Sequence, residues 1–234
     1  MRRFIATCVA AAIALPATSN AETLVVKAAK DATIYEESEN GNGAGFELFV
    51  GTNGHQEARR GLVQFDLSAI PVGAQVSGAT LALVYLGGGV EIGDTVVDVH
   101  GLQKDWSEGP TDEPDGGLWQ AGGAGSPAVA GDTTYACAQV SIEPSGLLPP
   151  LCAVFWQTPG GDFGASVAQL NLLGADDSTT FETTSSAALT SLVQGWVATP
   201  ATNYGVILIG DETVPKSGRE CNRWPSRLLL PVST

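Results

Sequence analysis

The sequence predicts an all-β protein, an antiparallel β-sandwich with one short helix packed at its end. Three observations carry this reading. Nearly every apolar stretch is short and bounded by turn residues. The chain's 29 Gly and 13 Pro supply many such turns. Only one stretch repeats at helical spacing.

Taken in order, the strands expected are TLVVKAA (23–29) and ATIYE (32–36), then, after the turn-rich SENGNGAG, FELFVGT (46–52). RGLVQFDL (60–67) follows. GATLALVYL (78–86) and TVVDVHGL (95–102) are expected to pair around GGGVEIGD. The late strands are SVAQLNLL (166–173), TTFETT (179–184), YGVILIG (204–210) and RLLLPV (227–232). Short strands at this spacing suit a two-layer sandwich. The helix is SSAALTSLVQGWVAT (185–199), with Leu189, Leu192, Val193 and Trp196 on one stripe. Ser185 or Ser186 is placed to cap it, and Pro200 to end it.

Residues 103–165 depart from the pattern. They are rich in Gly, Pro and Asp, and show little clear strand. Cys137 and Cys152 bracket the 14 residues AQVSIEPSGLLPPL inside this excursion and are expected to be bonded to each other. Closing such a loop is worth ~3 kcal/mol by chain entropy. Cys221 is then left over. No internal repeat and no linker divides the chain.

The opening MRRFIATCVAAAIALPATSNA reads as a secretory signal over residues 1–21: two arginines, an apolar run, and the small-x-small cleavage site Ser19-Asn20-Ala21. Residues 22–234 then form one domain, secreted outside the cell or into the periplasm, where a disulfide is stable. The apolar run is too short to span a bilayer, no other stretch is long enough, and no hydrophobic tail ends the chain. Loss of Arg2 and Arg3 leaves nine of the 11 Lys and Arg against 25 Asp and Glu, a formal charge of −16. That field argues against nucleic acid and anionic membrane surfaces as partners.

Two basic knots stand out in so acidic a chain: Arg59-Arg60 before GLVQF, and KSGRECNRWPSR with Arg219, Arg223 and Arg227. Neighbouring residues of a strand point to opposite faces, so Arg59 and Arg60 are expected on opposite sides of their sheet. Pairing with carboxylates at the sheet rim is one role for such arginines. Gripping an acidic polysaccharide is the other.

The string DATIYEE, FELFVGT, ARRGLVQFDLSAIPVGAQVSGATLALV and VDVHGLQKDWSEG resembles the secreted bacterial DNRLRE domain, which is grouped with carbohydrate-binding modules. FWQTPGGDF, LTSLVQGWVATPATNYGVILIGDE and GRECNRWPSRLLLPV follow in the family's order, so the resemblance covers most of residues 31–232. The matching positions are Arg59 and Arg60 before the apolar strand, Phe65 to Ser68 with Ile70 and Pro71, Asp105 to Gly109, the Arg219-Glu220 pair, and Arg227. Cys221 stands where the family usually has asparagine, and Leu228 where it has proline. Relatives with the long excursion often carry a sorting anchor, and this chain ends without one. The resemblance implies a sandwich of jelly-roll type outside the cell, and sugar binding by analogy.

On these grounds Arg59, Arg60, Arg223 and Trp224 are the candidate ligand contacts. Arg219, Glu220 and Arg227 are expected in structural ion pairs. Asp31 and Asp105 are candidate ligands for a structural calcium, which suits acidic extracellular loops, although the EF-hand pattern is absent. Trp106, Trp119, Trp156 and Trp224 lie in or near loops, where they either stack on sugars or plug the ends of the sandwich. Catalytic signals are sparse. His55 and His100 are far apart, no nucleophile elbow or zinc spacing occurs, and only the carboxylates of DWSEGPTDEPD (105–115) offer acid–base chemistry. The leading function is therefore non-catalytic binding of an extracellular, acidic polysaccharide. The alternatives are a matrix or cell-surface structural protein without sugar binding, and a hydrolase using loop carboxylates.

Overall fold

The computed structural model describes residues 22–45, 47–88, 95–112, 124–142, 151–172, 179–215, 217 and 219–233; side chains are described for these except 86–88, 142 and 219–225. The strands are β1 (Glu22–Tyr35), β2 (Asn40–Gly41), β3 (Glu47–Thr52), β4 (Ala58–Phe65), β5 (Gln75–Val76), β6 (Thr80–Gly88), β7 (Thr95–Leu102), β8 (Ser126–Pro127), β9 (Cys137–Ile142), β10 (Leu151–Phe155), β11 (Phe163–Leu172), β12 (Thr180–Glu182), β13 (Val206–Ile209) and β14 (Arg219–Ser233). The helix α1 (Ala187–Ala198) and a 3₁₀ turn (Pro200–Thr202) lie between β12 and β13.

The protein is all-β, built from antiparallel strands in two layers. In the first layer β14 lies between β1 and β6, with β12 outside β6; β3 and β5 also pair with β14. In the second the order is β11, β7, β13, β4, β1. β1 belongs to both layers. Residues 22–27 pair with β14, and residues 28–35 pair with β4 after an irregularity between Ala28 and Lys30. β3 crosses in the same way, pairing first with β14 and then through Gly51 and Thr52 with β4. The two segments expected as separate strands, 23–29 and 32–36, are thus one strand. Its bend lets it serve both sheets.

Inward residues of both layers make the main core. Leu228 and Leu230 of β14, Leu81 and Leu83 of β6, Val63 and Phe65 of β4, Val97 and Val99 of β7, and Val206 and Leu208 of β13 meet there. α1 closes one end of this core with Leu189, Val193, Trp196 and Val197. Ser186 is its cap, accepting from the N–H groups of Ala188 and Leu189, and Pro200 follows its end. Gln194 satisfies the short strand β5 by accepting from Val76 N at 2.7 Å and donating to Ala74 O at 3.2 Å.

The expected hairpin of β6 and β7 does not form. β6 lies between β14 and β12, while β7 lies between β11 and β13 in the other layer. Both strands have the same alternation, which a hairpin and a crossing share. Only their partners decide. Leu81 and Leu83 face Val97 and Val99 across the core rather than beside them.

The excursion also differs from expectation. It contains β8, which pairs with β2, and the hairpin of β9 and β10. Cys137 and Cys152 are bonded across this hairpin. Cys221 and the rest of 219–225 are described only in backbone. The excursion lies on the outer face of the second layer, where Ala32, Ile34, Leu62 and Ile207 form a second core with Trp106, Ala138 and Trp156. Trp106 Nε1 donates to Tyr204 O at 2.9 Å and Trp156 Nε1 to Thr134 O at 3.0 Å. Both indoles therefore plug the fold. Trp119 lies outside the described residues.

Replacing Cys137 and Cys152 together by serine is expected to lower stability by ~3 kcal/mol. Trp156→Ala is expected to cost ~3–5 kcal/mol by emptying the second core. Denaturant melts of the two variants check this; a silent Trp156→Ala would show that the excursion does not depend on that core.

Candidate functional site

Arg59 and Arg60 lie at the start of β4 and point to opposite faces of the sheet. Arg59 turns to the inter-sheet side, over the rings of Tyr35 and Phe49, at 5.5 and 5.9 Å from their centroids. Its Nε donates to Glu37 Oε1 at 2.8 Å. Arg60 turns outward beneath the excursion, over Tyr135 and Phe163, at 5.6 and 5.7 Å. It grips Glu212 with two parallel bonds, Nε to Oε1 at 2.7 Å and Nη2 to Oε2 at 2.8 Å. Its third nitrogen donates to Gly160 O at 2.8 Å. Burial works against the Arg60 charge, but the hydrogen bonds and charge of Glu212 more than offset it, so its pKa is raised. Burial also pushes the Tyr135 phenol up, against the pull of Arg60.

Gly160 shows how closely this corner is packed. Its φ is +89°, and a Cβ there would stand 2.4 Å from Arg60 Nη1 and 2.7 Å from the Tyr135 ring. Only glycine fits. The adjoining turn is held by Asp162, whose oxygens accept from Gln157 N and Thr158 N, each at 2.9 Å. Lys104 pairs with Asp162 at 3.2 Å and donates to Phe155 O at 2.6 Å, tying the edge of β10 to the sheet. Burial of Asp162 opposes ionisation, but those two N–H groups and Lys104 outweigh it and hold the carboxyl below its ordinary range.

Sequence reading missed Asp132, which is wholly buried. Its oxygens accept from Val129 N at 2.7 Å, Thr111 N at 3.2 Å and the Thr111 hydroxyl. It locks the entry of the excursion to its middle. The signal available was Gly131-Asp132-Thr133, a turn sequence, which says nothing of the partner at Thr111.

The remaining candidates are scattered. Asp105 follows β7 at the start of the excursion, accepting from Lys30 Nζ at 3.2 Å and Trp106 N at 2.9 Å. Asp31 is buried, and its N–H donates to Glu108 Oε1 at 2.9 Å. Among the described residues, no group of three or more His, Cys, Asp or Glu is arranged to hold a metal ion. His55 is exposed in its turn, and His100 Nδ1 lies 2.9 Å from Gly164 O. The side chains of Arg219, Glu220, Arg223 and Trp224 lie outside the described residues. Arg227 has no carboxylate partner among the described residues, and its Nε is buried without a hydrogen bond. The ion pair expected for it is therefore not among the contacts described.

Residues 22–111 match the family model of carbohydrate-binding module family 96. The match runs from β1 through β7 and stops just inside the excursion. A comparison with curated proteins finds no match. No helix among the described residues is long and apolar enough to cross a membrane.

Arg60→Ala leaves Glu212 half-buried and unpaired, and is expected to cost about 2–3 kcal/mol. Arg60→Lys should recover only part, because an ammonium cannot reproduce the two parallel bonds. Chemical denaturation of both variants checks the order. A second expectation concerns pH. The folded pKa of Asp162 lies below its unfolded value of about 3.9, so its contribution is full above that value and is lost as pH falls through the folded one. Asp162→Asn should therefore melt lower than the unaltered protein at neutral pH, and the gap should close on acidification below about pH 4. An unchanged gap across that range would show that Asp162 acts only through packing.

Proposed function

We propose that the chain is a secreted, non-catalytic carbohydrate-binding domain of the DNRLRE kind, and that its ligand is an acidic extracellular polysaccharide. The observation that carries the reading is the match of residues 22–111 to a carbohydrate-binding module family, on a chain folded as an antiparallel sandwich. Of the loop carboxylates considered for hydrolysis, Glu113 and Asp115 lie outside the described residues, and two of the others have partners within the fold. Asp105 is engaged by Lys30, and Glu108 by the backbone of Asp31. Arg223 and Trp224 stay in the proposal as contacts on β14, where a guanidinium and an indole suit a uronate.

The test is affinity electrophoresis through gels holding polygalacturonate, polymannuronate, polyguluronate or dextran, with a reducing-end assay on the same mixtures. Retardation by a polyuronate but not by dextran, weakening as salt rises and with no new reducing ends, is the expected result. Equal mobility in every gel would overturn the reading in favour of a structural role. Release of reducing ends would overturn it in favour of a hydrolase.

A further inference from the structure

We infer that the acidic polysaccharide is held on the outer face of the first layer, at a cation pair formed by Lys27 of β1 and Arg227 of β14. This rests on the polysaccharide-binding reading above and adds the place and the groups.

The starting point is where the cations go. Lys30, Arg59, Arg60 and Lys104 each hold a carboxylate. Among the described residues, Lys27 and Arg227 are the basic side chains without one. They are also direct cross-strand partners in the ladder between β1 and β14. Like charges directly opposite each other destabilise a sheet. In a chain with 25 acidic residues against 11 basic ones, a neutralising neighbour would be easy to supply, and none is present among the described residues. Arg227 Nε is moreover buried and without a hydrogen-bond acceptor. An anion resting between the two side chains would relieve the repulsion.

The surroundings suit a sugar chain. Leu228 and Leu230 of β14 face the core, so Arg227, Leu229 and Pro231 face outward by alternation. On β1, Thr23, Val25 and Lys27 share that outer face, opposite Pro231, Leu229 and Arg227 in register. Thr80 of β6 continues the row of Val25 and Leu229, while Ala82, in register with Arg227, is wholly buried. Val25 is 56% exposed, an unusual exposure for valine on a strand. The result is a flat apolar strip, with hydroxyls at its margin and two cations at one end. Sugar rings present apolar C–H faces, and uronates add a carboxylate that matches a guanidinium fork. Glu182, exposed on β12 beyond Ala82, bounds the strip with opposite charge. On the second layer the excursion covers the outer side over β1, β4 and β13.

Lys27→Glu is the principal test, since Lys27 is exposed and its replacement leaves the core intact. Arg227→Gln is the second, and Lys104→Gln, which removes the same single charge as Arg227→Gln, is a control from the opposite layer. Each purified variant is melted by circular dichroism, then titrated calorimetrically with the polyuronate that retards the unaltered protein. Loss of affinity of about tenfold or more for Lys27→Glu, at a melting temperature that is unchanged or raised because the like-charge pair becomes an opposite-charge one, and with Lys104→Gln still binding, is expected. If the unaltered protein binds a polyuronate and Lys27→Glu binds equally well, the location is wrong while the polysaccharide reading stands. If the unaltered protein binds no polyuronate, both fall. Concentration-dependent dimerisation that Lys27→Glu abolishes would also overturn the inference, by assigning the cation pair to a carboxylate of a second copy.

Discussion

Over β1, β4 and β13 the second layer is apolar on both faces, and much of the remaining structure follows from covering it. β1, β4 and β13 send Val63, Phe65, Val206 and Leu208 into the space between the layers, and Ala32, Ile34, Leu62 and Ile207 the other way. A two-layer sandwich buries only one face of each sheet. The outward set would leave a broad hydrophobic patch in water, which soluble proteins avoid. The excursion is the solution. Trp106 and Trp156 fill the patch, their indole N–H groups find backbone carbonyls, and the Cys137–Cys152 bond holds the hairpin that leads into Trp156. Buried threonines and Asp132 then tie the excursion together internally, because a long segment with little sheet must satisfy its backbone by other means.

The arginines of β4 belong to the same scheme. Their adjacency gives one to each face. Arg59 serves the end of the inter-sheet space and Arg60 the seam between sheet and excursion, each stacked on two aromatic rings and held by a glutamate. A planar guanidinium can stack and bond in its plane at once, which explains arginine rather than lysine at both positions. With their donors directed to glutamates and a carbonyl, neither has the geometry of an open anion contact.

The strands and the helix were legible because each has a local signature: short apolar runs between turns, and one stripe at helical spacing with a serine before it. Ser186 caps and Pro200 follows, as the residues indicate. The disulfide was legible because the two cysteines bracket one segment. What could not be read was pairing. The alternation of β6 and β7 is the same whether they join as a hairpin or face each other across the core. β9 and β10 escaped notice because Gly, Pro and Asp dominate the stretch around them. The burial of Trp106 and Trp156 depends on the outward residues of β4 and β13, distant in sequence. For the candidate site, sequence gave weight to the conspicuous Arg59-Arg60 pair. Lys27, a lone lysine in an alternating strand, gains meaning only from the register that sets it against Arg227.

That contrast bears on where an acidic chain can bind an acidic ligand. Long-range electrostatics oppose the encounter, so recognition needs local cations whose charge is not already spent within the fold. Salt bridges with glutamate and aspartate remove most of the described basic side chains from consideration, however suggestive their position in the sequence. The excursion covers the outer face over β1, β4 and β13 as well. On the proposed reading, what is left for an anion is the strip on the first layer, where strand register sets Lys27 against Arg227 and no carboxylate pairs with either among the described residues. The repulsion there is a small cost to the free protein, and an anion that relieved it would bind with that cost returned.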